Sequence, residues 1–280
     1  IMTGAPLPAG ATSVVPVEST DGGVDTVTIR ASTKVGQHIR RAGEDVTSGT
    51  TVLKAGQVVT PAALGLAAAL GLAELTVLPR LRVLVMSTGT ELVTAGQPLK
   101  PGQIYESNGV MLAAAVRDAG AEVIASPMSD DTVDAFRETL RTQAGDADLI
   151  ITTGGVSAGA YEVVKDALGQ GAVEFVKVAM QPGMPQGAGT VDGVPIVTLP
   201  GNPVSSLVSF EVFVRSALRA AMGLTPHERP RRAATLTEDL TSPRGKRQFR
   251  RGVFDPVADT VTSYGPPASH HLRWLASANC

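Results

Sequence analysis

Between Arg80 and Gly223 apolar runs alternate with helix-period segments, and this alternation limits the fold more than any other feature of the chain. "RVLVMST" from Arg82, "AEVIASPM" from Ala121, "ADLIITTGG" from Ala147, "VEFVKVAM" from Val173 and "GVPIVTLPGNP" from Gly193 read as strands. "SNGVMLAAAVRDAG", "DTVDAFRETLRTQAG", "AYEVVKDALG" and "PVSSLVSFEVFVRSALRAAMG" read as helices. Strands that alternate with helices pair in parallel, with helices on both faces of the sheet. The boundary residues agree. Ser107 or Asn108 opens the first helix and Gly120 ends it; Asp131 is the expected cap of the second; Asn202 and Pro203 open the last and Gly223 closes it.

The flanks follow a different pattern. "TSVVPVEST" and "VDTVTIR", split by "DGG", predict a hairpin in an N-terminal β region over 1–48. Residues 49–79 hold an Ala/Leu helix, with Thr60 as N-cap and Pro61 in its first turn, then a short strand "ELTVLP"; this stretch reads as a linker subdomain. After residue 225 short strands return in "AATLTEDL", "QFRRGVF" and "TVTSYG", and "LASANC" closes the chain as another strand. The fold expected is multidomain α/β. A central, mainly parallel three-layer α/β domain over 80–225 lies between the N-terminal β region and a small β domain over 226–280. The chain opens and closes in mid-pattern, so a longer natural protein is expected.

Composition removes several function classes. A formal net charge of −2 over 280 residues offers no nucleic-acid or membrane surface. The single Cys280 excludes an internal disulfide and a cysteine zinc cage. The apolar run Ala62–Ala73 is too short to span a bilayer. With no signal peptide evident, a cytoplasmic protein is the expectation.

Ligands of open parallel sheets sit beyond the carboxyl ends of the strands. Glu91 follows the first strand, Asp130 and Asp131 the second, the turn "GGVSAGAYE" with Gly154, Gly155, Ser157 and Glu162 the third, and "LPGNP" the last. Glycine turns let backbone N–H groups approach an anion. Carboxylates beside an anion require a cation between them, and hard oxygen ligands select magnesium rather than zinc. The pattern therefore points to a metal-assisted site for a phosphate-containing ligand. Plainer readings stand beside this one. Asp131 reads better as a helix cap, Glu162 also fits a first-turn charge, and Glu91 also fits a solvent-facing side chain. Lys177 interrupts an apolar strand and fits either a snorkelling side chain or an anion partner. The adjacent His270 and His271 make a poor chelate, and His38 and His227 read as surface residues.

Together "VLVMSTGTELV", "GQIYESNGVML", "TTGGVSAGAYEVVK", "VKVAMQPGMPQGAG" and "TLPGNPVSSLVSF" resemble the MoeA family, the molybdopterin molybdenumtransferases, which include the gephyrin E domain. "IMTGAPLPAGATSVV" and "RRAGEDVTSGTTVLKAGQ" resemble its earlier part, and "PRGKRQFRRGVF" with "SHHLRWLASANC" its C-terminal β domain. The resemblance implies a transferase that inserts molybdenum from molybdate into adenylylated molybdopterin and releases AMP. Alternatives are an enzyme like the molybdopterin adenylyltransferase, or a non-catalytic scaffold of the gephyrin type. By the same resemblance Glu91, Asp130, Glu162, Asp45 and Thr3 are catalytic, and Glu91, Asp130 and Glu162 hold Mg2+. Gly154, Gly155, Ser157, Lys177, Pro200, Gly201, Asn202, Pro203, Arg251 and Ser269 bind the pterin nucleotide. The family also implies a homodimer with a shared site, and the adenylyltransferase as a partner enzyme. The sequence departs from the family pattern at Thr90 and Glu162, where many members have Asp, and at Gln181 and Met184, where some have Lys in a K-P-G-K-P stretch.

Overall fold

The structure, a computed structural model, describes residues 1–155, 163–168 and 171–280, and contacts divide the chain into two compact units, Ile1–Ala73 and Glu74–Cys280. In the first unit the regular elements among the described residues are a 3-10 turn, Val17–Ser19, and helix α1, Pro61–Ala69. The expected hairpin reduces to one antiparallel bridge, Thr20 to Ile29. Val24, Val27 and Ile29 are exposed. These branched residues have no partner sheet to cover them, and an isolated two-stranded ribbon is marginal in water. Helix α1 starts as expected: Thr60 Oγ1 accepts from Ala63 N at 3.2 Å, with Pro61 in the first turn. The strand expected in "ELTVLP" does not form; Val77 and Leu78 are exposed, and among the described residues no strand pairs with them.

The second unit opens with β1, Arg82–Thr88, followed by a small parallel pair, β2 (Leu92–Val93) and β3 (Ile104–Tyr105). Then come α2 (Asn108–Asp118), β4 (Glu122–Ala125), β5 (Met128–Ser129), α3 (Val133–Gln143), β6 (Leu149–Thr153) and α4 (Val163–Leu168). The layer closes with β7 (Val173–Lys177), β8 (Met180–Gln181), β9 (Pro185–Val191), β10 (Val194–Leu199), α5 (Pro203–Ser209), a π-helical turn over Phe210–Val214, and α6 (Arg215–Ala221). Among the described residues the main sheet runs β4-β1-β6-β10-β9-β7, with β5 also beside β1. β1 pairs in parallel with β4, β5 and β6, and β6 with β10; β9 and β7 then continue the sheet antiparallel.

The mainly parallel sheet matches the expectation. The antiparallel edge does not follow from the alternation, because glycines disguise β9. A Cβ on Gly187 would run into Thr198 Oγ1, and one on Gly189 into the Ala172 carbonyl. These glycines mark close backbone approach rather than a turn. "AEVIASPM" divides into β4 and β5, and "VEFVKVAM" into β7 and β8.

Alternate residues of each buried strand serve opposite layers. Val83, Val85, Ile151 and Leu199 pack with Leu112 and Val116 of α2 and with Phe210, Val214 and Leu218. Leu84, Met86, Ile150 and Ile196 pack with Phe136 and Leu140 of α3 and with Val164 and Ala167 of α4. A residue period of two along the strands produces the three layers. α3 is capped by Thr132, whose side chain accepts from Ala135 N, not by Asp131.

One ion pair ties the amino ends of β1 and β6. Asp148 Oδ2 accepts from Arg82 N at 2.7 Å, and Oδ1 from Arg82 Nη2 at 3.3 Å. The Arg82 side chain and amide hold the Asp148 carboxyl below its ordinary 3.8. A depressed carboxyl contributes stability above its unfolded pKa, and that stability is lost as pH falls through the folded value. Asp148→Asn should therefore cost about 0.5–1 kcal/mol at neutral pH, modest because the pair is partly exposed. Denaturant melts should show the gap to wild type closing once pH falls below the ordinary aspartate value. A gap of constant size at all pH values would contradict this assignment.

The C-terminal part carries β11 (Thr235–Leu236), β12 (Arg247–Gln248), β13 (Gly252–Asp255) and β14 (Thr260–Ser263), with a small sheet ordered β11-β14-β13. "LASANC" is not a strand. Leu272–Ser277 form helix α7, and Trp274 packs edge-on against Tyr264 with ring centroids 5.0 Å apart. Beyond the helix, Asn279 N donates to the Gly252 carbonyl and Gly252 N to the Cys280 carbonyl. Among the described residues no helix is long and apolar enough to cross a membrane.

Candidate functional site

The carboxyl ends of β1, β5, β6 and β10 form a crest tied together by hydroxyls and amides. Gly89 N donates to Ser129 O at 3.1 Å, and Gly154 N to Leu199 O at 3.2 Å. Thr153 Oγ1 donates to Pro200 O at 3.1 Å and lies 3.2 Å from Ser206 Oγ. Asn108 Nδ2, at the start of α2, donates to Gly201 O at 2.7 Å and to Thr153 Oγ1 at 3.1 Å. One side chain thus joins the "TTGG" and "LPGNP" turns. Among the described residues Asn108 Oδ1 is buried without a partner.

The glycines are required by geometry. Gly154 has φ +95°, and a Cβ there would lie 2.6 Å from Thr88 O. Gly155 has φ +64°, and a Cβ would lie 2.7 Å from Val164 Cγ2. A Cβ on Gly201 would meet Gly154 Cα at 3.4 Å, so the two turns face each other closely. Side chains larger than hydrogen at 154 and 155 would collide with Thr88 and Val164.

Neither Ser107 nor Asn108 caps α2 with its side chain. Glu106 does so instead, accepting from Gly109 N, from Val110 N at 3.4 Å and from Ser87 Oγ at 2.9 Å. The signal in the sequence is an acid just ahead of a helix start, where the dipole favours negative charge. Asn202 occupies the first boundary of α5 but makes no side-chain cap. The Ser269 carbonyl accepts from Val204 N at 3.0 Å. The loop carrying Ser269 is pinned by Arg251, 7% exposed, which donates to the carbonyls of Pro266, Ala268 and His271. Burial, with Arg250 adding its like charge, pushes the Arg251 guanidinium pKa down. Arg251 thus spends Nη1 and Nη2 on backbone, and among the described residues Nε has no partner.

Of the residues expected at the site, Glu91, Asp130, Gly154, Gly155, Pro200, Gly201, Asn202 and Pro203 are placed at this crest, and Arg251 and Ser269 are brought to the start of α5. Lys177 is exposed at the end of the edge strand β7. Thr3 and Asp45 are exposed in the first unit, where Asp45 lines a recess of about 580 Å³ with Arg40, Arg41, Leu66 and Leu70. Ser157 and Glu162 lie outside the described residues. Asp131 Oδ2 accepts from Thr90 N at 3.1 Å, which fixes the loop that presents Glu91. Glu91 and Asp130 are exposed, and among the described residues neither carboxylate has a hydrogen-bond or ion-pair partner. No group of three or more metal-binding side chains occurs among the described residues. Two unpartnered hard-oxygen donors fit magnesium, which binds through one or two carboxylates, waters and substrate phosphates.

Residues 1–71 match the MoeA N-terminal region (domain I and II), residues 84–220 a probable molybdopterin binding domain, and residues 233–280 the MoeA C-terminal region (domain IV). The chain is 70% identical to molybdopterin molybdenumtransferase 2 of Mycobacterium tuberculosis, over 100% of this chain and 71% of that protein. It is 39% identical to molybdopterin molybdenumtransferase 1 of the same organism, over 100% of this chain and 68% of that protein. A crystal structure of the molybdopterin biosynthesis MoeA protein from Pyrococcus horikoshii is similar at 26% identity and a TM-score of 0.67, over 100% of this chain and 68% of that one. The chain belongs to the MoeA family.

Proposed function

We propose that the protein is a molybdopterin molybdenumtransferase, which inserts molybdenum from molybdate into adenylylated molybdopterin and releases AMP during molybdenum cofactor biosynthesis. The observation that carries the proposal is the crest. Two closely facing glycine turns bring backbone to the strand ends, and two carboxylates, without a partner among the described residues, stand at the neighbouring strand ends. In this reading Glu91 and Asp130, with Glu162, hold Mg2+, which offsets the charge of the pyrophosphate when bound. Gly154, Gly155, Ser157 and the Pro200–Pro203 turn seat the nucleotide phosphates, and Asn108 fixes the spacing of the two turns. Mixing the protein with adenylylated molybdopterin, molybdate and magnesium should release AMP. ATP consumption with free molybdopterin and no AMP release from the adenylylated form would favour the adenylyltransferase reading. Neither activity would leave the scaffold reading.

The proposal extends to a homodimer in a cytoplasmic setting, with Thr3 and Asp45 of one copy serving the crest of the other. The adenylyltransferase that makes the substrate is the natural partner. Inactive Asp45→Ala and inactive Glu91→Gln proteins, mixed under subunit exchange, should regain activity, because a mixed dimer then holds one undamaged site. Continued inactivity, with exchange verified by mass spectrometry, would mean that each chain completes its own site.

A further inference from the structure

The segment between α6 and β11 is held by arginines and acids drawn from three parts of the chain. Arg229, in that segment, donates Nε to Glu211 Oε2 and Nη2 to Glu211 Oε1, both at 3.0 Å, and Nη2 also to Asp118 Oδ2 at 2.7 Å. Glu211 lies in the π-helical turn and Asp118 at the end of α2. A forked guanidinium–carboxylate pair fixes direction as well as distance. Arg215 of α6, 7% exposed, shares the same two acids, 3.5 Å from Asp118 Oδ2 and 3.7 Å from Glu211 Oε2. Backbone is caught as well: Arg219 donates Nε to Pro226 O at 2.8 Å and Nη1 to Ala119 O at 3.2 Å. Burial pushes the Asp118 carboxyl up, but Arg229 and Arg215 outweigh it and hold the carboxyl below its ordinary 3.8.

Arg229 stands at the boundary of the C-terminal β domain. Three residues later Arg232 already pairs with Asp259 of that domain at 3.1 Å and lies over the Phe254 ring. The neighbouring Arg231 pairs with Glu228 at 2.8 Å, inside the segment itself. Beyond the boundary the domain meets the α/β layer where β12 pairs with β8, and where the Ser269 carbonyl accepts from Val204 N at 3.0 Å. A groove of about 1060 Å³ opens between them, lined by Leu207, Glu211 and Arg215 from the helices and by Arg229, Arg251 and Leu275 from the chain that follows. Along that groove apolar packing does not set the angle of the domain, and domains joined by small contacts move relative to each other by default. Setting the angle falls to the polar ties.

From this arrangement we infer that Arg229 is a positioning residue, whose fork on Glu211 and contact with Asp118 set the angle of the C-terminal β domain and so deliver Arg251 and Ser269 to the start of α5. The angle stands on the contacts above; its importance for substrate rests on the proposed function. Glu91, Asp130 and the glycine turns belong to the α/β layer and keep their places without the clamp. Its loss should therefore weaken the hold on the nucleotide and spare the chemical step.

Trp274 is the one tryptophan of the chain and lies in α7. With the exposed Cys280 changed by Cys280→Ser, Ala114→Cys on the exposed side of α2 carries a single thiol-reactive acceptor dye. Time-resolved fluorescence then reads the distribution of distances between the C-terminal domain and the α/β layer. Arg229→Gln should widen that distribution about twofold or more, whereas Arg231→Gln, which breaks a pair inside the segment, should match wild type. In steady-state AMP release, Arg229→Gln should raise KM for adenylylated molybdopterin about fivefold or more with kcat within about twofold, the sign of lost ground-state binding. A protein that is merely destabilised would lose kcat through its folded fraction and keep KM. The Arg229 side chain is 54% exposed, so the variant is expected to fold. If its melt falls short of wild type, Arg229→Lys, which keeps the charge without the fork, is read in its place with the same expectation. Unchanged distances in the Arg229 variant, equal widening in the Arg231 variant, or widening at unchanged KM each overturn the inference. Widening confined to the Arg229 variant, in a protein that releases no AMP, leaves the clamp standing and overturns the proposed function.

Discussion

Glu91→Gln lowers the rate of AMP release by roughly 10²–10⁴, the range for loss of one acid–base or positioning group. Substitution by Gln keeps the length and most of the polarity of the side chain and removes only its charge. Glu91 is exposed and unpartnered among the described residues, so the fold does not depend on that charge. Its carboxylate lies over Gly89, where a Cβ would meet Oε2 at 2.6 Å and Oε1 at 2.8 Å. Asp131, bonded to Thr90 N, holds the same loop in place. Single-turnover AMP release and nucleotide binding should be measured side by side, with the loss confined to turnover. Wild-type turnover in Glu91→Gln would remove Glu91 from the chemistry. An equal loss in both would assign it to binding.

Gly154→Ala carries the largest expected loss of stability at the site. The residue sits at φ +95°, where an L side chain costs about 1–2 kcal/mol. The new methyl would also lie 2.6 Å from Thr88 O and 2.7 Å from Thr88 Oγ1. Overpacking of this kind costs about 1–3 kcal/mol more. A total of about 2–5 kcal/mol should lower the midpoint of a denaturant melt by a clear margin. The displaced β6–β10 crest should also lose nucleotide binding before it unfolds. Gly145→Ala is the control: φ there is not positive and nothing lies within 4 Å of the added methyl. If the two variants melt together, the backbone at Gly154 is not restrained in the manner described.

Much of this was legible in the sequence, for reasons that differ by region. The parallel core shows itself because β1, β6 and β10 are buried on both faces and are written in branched residues, and because Gly120 and Gly223 end their helices where backbone with positive φ is needed. Residues placed by consecutive strand ends, such as Asp130 and Gly154, could be read from order alone. What could not be read depends on contacts distant in sequence. Asn108 matters through a carbonyl 93 residues away, and Arg251 through the loop at 266–271. β9 was concealed because its glycines answer to Ala172 and Thr198, neighbours that no local window contains. The N-terminal runs mislead in the opposite sense. Their β-branched residues suggest strands, yet strands require a partner edge, and only one bridge forms. Asp131 has the composition of a cap but is taken by Thr90 across the crest.

The π-helical turn at Phe210–Val214 has a consequence for chain length. An α-helix advances 100° per residue, and a π turn absorbs one residue that a regular helix would not accommodate. Deleting a single residue there would let α5 run into α6 as one straight helix. Because the π turn closes one turn of the helix with one residue more than an α turn, every later side chain would keep its direction. Leu218 and Met222 would stay in the same apolar cluster as Val83 and Ile151, and Arg215 would stay beside Asp118 and Glu211. The turn over Phe210–Val214 is thus a place where the chain can change its residue number without changing what α6 faces.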